Sequence, residues 1–330
     1  MVAVAIADRG TCLIKLGRLD EAGATYEEAI QYAEARANQR DVAISKGQIG
    51  NVRLLQQRYD EALAAYECAL TIFTTLSDPG SVVGTWHQIG MAYREAQQLD
   101  KAEDFYKQAL AFEVQQKCCH EEALTLLELG TLYDAMGRLE DAATCTSRAA
   151  DLYATLGDIN HEAITRNNLA HTLLQLARYD DARREVQHSI SGRDPFGHAA
   201  QLWVSWDILR QIEQATGHPQ AATEAWQRAV QCYLAYRRDG GESQAPGAGL
   251  YADIANTIRQ GETAAVIQEL TRLSTDPDTP AWFQALLPKL LAILHGERHP
   301  ALADDAALNY DDAVELRLLL EEVGKVKGEG

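Results

Sequence analysis

Leu16-Gly17-Arg18-Leu19-Asp20-Glu21-Ala22 returns forty residues later as Gln56-Gln57-Arg58-Tyr59-Asp60-Glu61-Ala62. It returns again as Ala96-Gln97-Gln98-Leu99-Asp100-Lys101-Ala102, as Met136-Gly137-Arg138-Leu139-Glu140-Asp141-Ala142 and as Leu176-Ala177-Arg178-Tyr179-Asp180-Asp181-Ala182. A looser sixth copy is Thr216-Gly217-His218-Pro219-Gln220-Ala221-Ala222. A fixed period of this size marks a solenoid, in which one supersecondary unit is stacked on copies of itself.

Other positions keep the same register. Twelve residues before the repeated alanine stand Gly10, Gly50, Gly90, Gly130 and Ala170, with Arg210 breaking the series. Three residues after the small position come Leu13, Tyr93, Tyr133 and Leu173, with Arg53 and Glu213 as exceptions. Four residues after the alanine stand Tyr26, Tyr66, Tyr106, Val186 and Trp226, with Thr146 out of pattern. Seven after it stand Ala29, Ala69, Ala109, Ala149, Ser189 and Ala229. Offsets of four and seven share one helical face. Each unit therefore reads as two amphipathic helices, A and B, joined by a tight turn whose Asp or Glu is expected to cap helix B. Small residues where the helices cross allow close backbone approach, and the Tyr and Trp fill the space beside them.

Gly90, Tyr93, Ala102, Tyr106 and Ala109, with their partners in the neighbouring copies, resemble the tetratricopeptide repeat over residues 1–235. The usual unit has ~34 residues, so each copy here is longer by about one and a half helical turns. The family's proline after helix B is missing. Repeats of this length are similar to those of kinesin light chains and bacterial signalling proteins. The resemblance implies an all-α fold: a right-handed α-solenoid of antiparallel helix pairs, a tetratricopeptide superhelix with a helical C-terminal cap. The expected organisation is six repeats over 1–235, a loop over 236–249, and a degenerate repeat with capping helices over 250–330.

That last third is read from composition. Arg237 to Gly249 is rich in Gly, Ser and Pro. Leu250 to Leu273 reads as a helical pair broken at Gln260-Gly261-Glu262, and Ala281 to Leu294 as an apolar helix kinked near Pro288. Tyr310 to Val323 reads as a closing amphipathic helix with Asp311 and Asp312 in its first turn. At the other end, Met1 to Ala7 starts inside the first helix A without a capping residue. Terminal repeats need a polar cap, so the expectation is a piece of a longer protein.

The formal net charge of −18 disfavours nucleic acid and anionic membrane, which need Lys and Arg. Six cysteines lack framework spacing, and no signal peptide or long apolar run is present, so a cytoplasmic location with reduced thiols is expected. No Gly-rich loop ending in Lys-Ser or Lys-Thr occurs, and no Gly-x-Ser-x-Gly elbow. His120-Glu121 and His161-Glu162 begin a zinc-protease pattern, but Leu124 and Thr165 stand where the second histidine belongs. Cys118-Cys119-His120 lacks a second ligand pair. The expectation is no catalytic residue, no metal and no cofactor.

A solenoid offers a surface instead. Two residues before each small position stand Asp8, Gln48, Gln88, Glu128 and Asn168, a ladder that is polar in every copy. Beside packed Ile49, Ile89, Leu129 and Leu169, such a stripe must face open space. The resemblance places helix A on the concave side. The expected ligand groove then comprises Gln48, Asn51, His87, Gln88, Met91, Arg94, Glu128, Thr131, Asp134, Asn167, Asn168 and His171. Asn and Gln both donate and accept, which suits the backbone of an extended peptide. One variant of the family grips a C-terminal carboxylate with a Lys/Asn/Arg clamp. Its registers here hold Ala7, Thr11, Gly47, Asn51, His87 and Met91, of which Asn51 alone agrees, so that clamp is not expected.

The resulting expectation is a non-catalytic scaffold or sensor that binds a protein or peptide. It resembles the C-terminal sensor arrays of bacterial signalling ATPases of the STAND type and arrays beside caspase-like CHAT proteases. Two alternatives stay open: a peptide-pheromone receptor belonging to a transcriptional regulator, and a structural assembly element. The isolated piece is compatible with a monomer.

Overall fold

The computed structural model describes residues 2–193 and 201–325, and every regular element in them is helical. By packing, the chain divides into two compact units, Met1–Asn168 and Leu169–Gly330. The first contains α1 (Val2–Lys15), α2 (Leu19–Glu34), α3 (Gln39–Leu55), α4 (Tyr59–Thr75), α5 (Pro79–Glu95), α6 (Leu99–Gln116), α7 (Cys119–Ala135) and α8 (Leu139–Leu156). Helix α9 (Ile159–Gln175) crosses the division. The second unit continues with α10 (Tyr179–Arg193), α11 (Leu202–Ala215) and α12 (Pro219–Arg238). It ends with α13 (Ala248–Gln260), α14 (Thr263–Ser274), α15 (Ala281–Leu294) and α16 (Tyr310–Lys325). Odd-numbered helices up to α11 are the A helices and even-numbered ones up to α12 the B helices. Met1, whose surroundings informed the reading of a cut edge, lies outside the described residues.

In the first five copies the A helix crosses its B helix at the small residue, and the distances explain why it is small. A Cβ on Gly10 would lie 2.5 Å from the Tyr26 ring, one on Gly50 2.4 Å from Tyr66, and one on Gly90 2.8 Å from Tyr106. All three rings are buried. The apparent lapse at Thr146 keeps the same constraint: a Cβ on Gly130 would lie 2.4 Å from Thr146 Oγ1, which donates to the Ala142 carbonyl at 2.6 Å. In the second unit Ala170 faces this position with the shorter Val186 in its own repeat, and both are fully buried.

The tyrosine hydroxyls are served from one register of the A helix. Tyr26 Oη lies 3.3 Å from Thr11 Oγ1, and Tyr66 Oη donates to Asn51 Oδ1 at 2.7 Å. At the third copy that register holds Met91, and the buried Tyr106 hydroxyl has no hydrogen-bond partner among the described residues.

The turns obey one rule. A left-handed residue ends each A helix at Gly17, Gln57, Gln97, Gly137, Ala177 and Gly217, with φ between +56° and +75°. Its own N–H and that of the following residue return to the helix, as in Gln97 N–H to Arg94 O at 2.9 Å and Gln98 N–H to Tyr93 O at 2.8 Å. This Schellman arrangement satisfies the last carbonyls. It recurs after B helices at Ala37, Ser77, Lys117 and Gly157.

The helix-B caps differ from the sequence expectation. The N-cap positions are Arg18, Arg58, Gln98 and Arg138, none of which caps through its side chain. The acids sit inside the first turn, where the helix dipole favours them, and the arginines reach forward to them: Arg18 to Glu21 at 2.6 Å, Arg58 to Glu61 at 2.6 Å, Arg138 to Asp141 at 2.8 Å. Side-chain caps belong to the A helices instead, where Asn38, Asp78 and Asp158 accept from Asp41, Ser81 and His161 N–H.

In the second unit, α13 to α16 close over α12 and share one apolar core with it. Trp226, the large residue of the sixth copy, donates its indole N–H to the Leu308 carbonyl at 2.9 Å. Helix α12 continues to Arg238 and α13 begins at Ala248, so their connection is shorter than the loop read from composition. Arg237 pairs with Glu315 at 2.6 Å, and Tyr251 donates to Asp312 Oδ1 at 2.6 Å. Burial pushes the Asp312 carboxyl up to about 6; the Tyr251 bond pulls it down, and the Asp311 charge adds to the rise.

Three outcomes are expected. Gln97→Gly relieves a left-handed non-glycine residue and should raise stability by about 0.5 kcal/mol, whereas Gly137→Ala should lower it by about 1 kcal/mol, both read as shifts of the urea transition. Tyr66→Phe should cost about 1 kcal/mol, while Tyr106→Phe should be neutral or stabilising, because it deletes an unpartnered buried hydroxyl. For Asp312 the folded-state value lies above the ordinary carboxylate value, so its contribution declines as pH rises from about 4 to about 6. Melting temperatures at about pH 5 and about pH 7.5 should therefore differ less in the alkaline-unfavourable direction for Asp312→Asn than for the parent chain.

Candidate functional site

The outward face of the A helices in the first unit carries the expected ladder, and its rungs touch. Gln88 Oε1 lies 3.6 Å from where a Cβ on Gly47 would stand, so the α5 amide reaches across to α3. Asn51 Nδ2 donates to Gln48 Oε1 at 3.2 Å, and Asn51 Oδ1 accepts from Tyr66. Arg94 on α5 donates to Glu128 on α7 at 2.5 Å. Gln48, Asn51, Gln88, Met91, Arg94 and Glu128 are all half-buried, while Thr131 and Asn168 are exposed.

Three expected residues are engaged inside the protein. His87 Nε2 lies 3.0 Å from Glu113 Oε1 and 2.8 Å from Thr125 Oγ1, which itself donates to Glu113 Oε2 at 2.7 Å. Glu113 and Thr125 are buried, so this cluster ties α5, α6 and α7 together around a carboxylate that water does not reach. Asn167 is buried as well, at 6 % exposure. Asp134 is half-buried with one carboxylate oxygen, Oδ1, sequestered and unpartnered among the described residues. His171 belongs to the second unit, where its exposed ring contacts Gln175 at 3.2 Å.

The same face holds a second ladder that the sequence reading passed over. One turn before Gln48, Glu128 and Asn168 stand Ile44, Leu124 and Ile164, exposed at 39 %, 39 % and 42 %. Gly84 holds the register between the first two. In the second unit the equivalent residue is Val204, exposed at 37 %. The signal was present as apolar residues at a forty-residue interval. It was hidden because an apolar residue in an amphipathic helix ordinarily reads as core.

The face is poor in free charge: Arg94 and Glu128 neutralise each other, and Arg40 at its N-terminal edge is paired with Asp78 at 3.0 Å. It presents amides that donate and accept, one thioether, and aliphatic side chains, which suits contact with a polypeptide. The described residues contain no group of three or more His, Cys, Asp or Glu placed to hold a metal ion. Cys12, Cys68, Cys118, Cys119 and Cys145 form no disulfide among the described residues. No described helix is long and apolar enough to cross a membrane.

Comparison with known proteins agrees with the architecture. The family model of the tetratricopeptide repeat matches residues 2–75, 41–112 and 121–194, together more than half of the chain. No curated relative matches. Among solved structures, BtubC from P. vanneervenii superposes with a TM-score of 0.60 at 18% identity, covering 66% of this chain and 92% of that one. The apo form of RapI gives 0.59 at 13% identity, with 100% of both chains covered. A Signal Transduction ATPase with Numerous Domains (STAND) protein with a tetratricopeptide repeat sensor, from Pyrococcus horikoshii, gives 0.57 at 15% identity, covering 90% of this chain and 44% of that one. At these identities the likeness is one of fold. The repeat register, the crossings closed by small residues and the family match over most of the repeats make this chain a member of the tetratricopeptide repeat family.

Proposed function

We propose that the chain is a non-catalytic binding module that holds an extended peptide segment of a partner protein against the A-helix face of its first unit. The observation that carries this reading is the pair of parallel ladders: exposed Ile44, Leu124 and Ile164 run beside the amides of Gln48, Asn51 and Gln88. An apolar stripe held open to solvent costs free energy unless something covers it, and such stripes mark interaction sites. The amides give the backbone of the segment its hydrogen bonds, and the aliphatic residues and Met91 receive its side chains. Ligand contacts are assigned to Gln48, Asn51, Gln88, Met91, Arg94, Glu128, Thr131 and Asn168. His87, Asn167 and Asp134 support the face from behind.

The likeness to a STAND protein with a repeat sensor supports a place as the sensing part of a larger signalling protein. The thiols of Cys12, Cys68, Cys118, Cys119 and Cys145, which form no disulfide, support work in a reducing compartment such as the cytoplasm.

Peptides selected from a random display library on the full chain, then labelled, supply the test. Changing Ile44, Leu124 and Ile164 together to Ser should weaken their binding at least about ten-fold, equivalent to about 1.4 kcal/mol, with unchanged helicity because all three side chains are exposed. Gln48→Ala with Gln88→Ala should weaken it by a smaller factor. Undiminished anisotropy titrations for both variants would remove the A-helix face as the site.

A further inference from the structure

A second concavity of the first unit lies away from the two ladders, where the C-terminal ends of α4 and α6 meet the start of α5. It encloses about 480 Å3 and is walled by Thr74, Pro79, Val82, Val83, Trp86 and Phe112. Cavities that hold small ligands fall in this range and combine apolar walls with few polar groups. Two aromatic rings and a proline ring supply flat walls, the geometry against which another ring packs.

The repeat register shows how the adjoining copies differ from this hollow. Val82 and Trp86 correspond to Glu162 and Arg166 two repeats on, where the two side chains bond to each other at 2.8 Å. One repeat on, the position of Val82 is Glu122, which Arg148 reaches from α8. One repeat back, the pair is Val42 and Lys46. In these neighbouring copies the notch thus carries an ion pair or a lysine, whereas the first and sixth copies keep apolar pairs, Val2 with Ile6 and Leu202 with Trp206; in the third a half-exposed indole borders an open apolar space.

The rim has one charged side chain, Asp78. Its carboxylate accepts from Ser81 N–H and Oγ and from Arg40 at 3.0 Å. Arg40 is 59 % exposed, so its pairing with Asp78 is a weak, solvent-screened one. The start of α5 offers an anion little: Pro79 has no N–H, and the Ser81 N–H is already taken. The chain's net charge of −18 also draws cations and repels anions.

We propose that this hollow is a binding site for a small aromatic cation, its ring against Trp86 and Phe112 and its ammonium at Asp78. The site is independent of peptide binding on the A-helix face.

Trp86 is the sole tryptophan of the first unit, which makes it a local reporter. The full chain labelled with 5-fluorotryptophan, with the Trp86 resonance assigned through Trp86→Phe, is titrated with tryptamine, indole and indole-3-acetate. Tryptamine should shift that resonance saturably, indole more weakly, and indole-3-acetate least. Thr74→Phe, at an exposed position on the rim, should fill the space and abolish the shift by tryptamine and indole alike. Arg40→Gln removes the competing cation and should tighten tryptamine several-fold while leaving indole unchanged. Calorimetry on the double variant Val82→Glu/Trp86→Arg, which installs the pair found at 162 and 166, should detect no tryptamine binding. A Trp86 resonance that stays fixed up to about 10 mM tryptamine, a level at which even millimolar affinities saturate, overturns the site. So does a shift that survives Thr74→Phe. Equal affinity for tryptamine and indole-3-acetate overturns the role of Asp78.

Discussion

The crossing of each helix pair is the contact on which the rest of the structure depends. A glycine on one helix meets a buried ring or hydroxyl on the next at distances that leave no room for a methyl group. Tight packing of this kind transmits any change in volume, because protein interiors have few voids to absorb it. The fourth and fifth copies illustrate the consequence. Where the tyrosine gives way to Thr146, the glycine stays because the hydroxyl turns toward it; where the partner is Val186, alanine is accommodated at 170. In the first five copies substitutions come in matched pairs, so the register survives there while individual residues vary.

The crossing also decides what the outward face contains. With the small residue fixed against the B helix, the residues two and six positions earlier on the A helix turn to solvent, as Gln48 and Ile44, or Glu128 and Leu124, show. Contacts between successive A helices then arise from this face and its flank: Gln88 over Gly47, Arg94 to Glu128, and His87 with Thr125. Polar groups that bond across repeats are held in one geometry, which lowers the entropy lost when a ligand engages those left free. His87 and Asn51 sit in adjacent registers of neighbouring copies yet serve different ends: the first is consumed by a buried carboxylate, and the second braces a tyrosine from a half-buried position that still meets solvent.

What was legible in the sequence follows from how local each signal is. Alanine at forty-residue intervals, with aromatic residues at fixed offsets, defined the helix pairs, because that pattern is imposed by neighbours within one repeat. The turn at Gln260-Gly261-Glu262 and the helix around Pro288 were legible for the same reason. The arginine at the N-cap of the B helices was not, because a cap is assigned by backbone dihedrals rather than by residue type alone. The engagement of His87 was hidden because Glu113 and Thr125 lie on two other helices. The hollow at Trp86 was hidden for a further reason: its walls come from α4, α5 and α6, and only their packing brings them round one space.

The glycine–tyrosine contacts join residues sixteen apart: 10 with 26, 50 with 66, 90 with 106. Such short separations mean that closing each hairpin costs little loop entropy, and chains built from near-neighbour contacts fold quickly. Synthesis releases the chain N-terminus first, so each pair is complete as soon as its own B helix has emerged, and needs only the preceding pair to rest upon. Maturation of the repeats on the ribosome is therefore sequential, one hairpin at a time, with a single unfinished edge exposed at any moment.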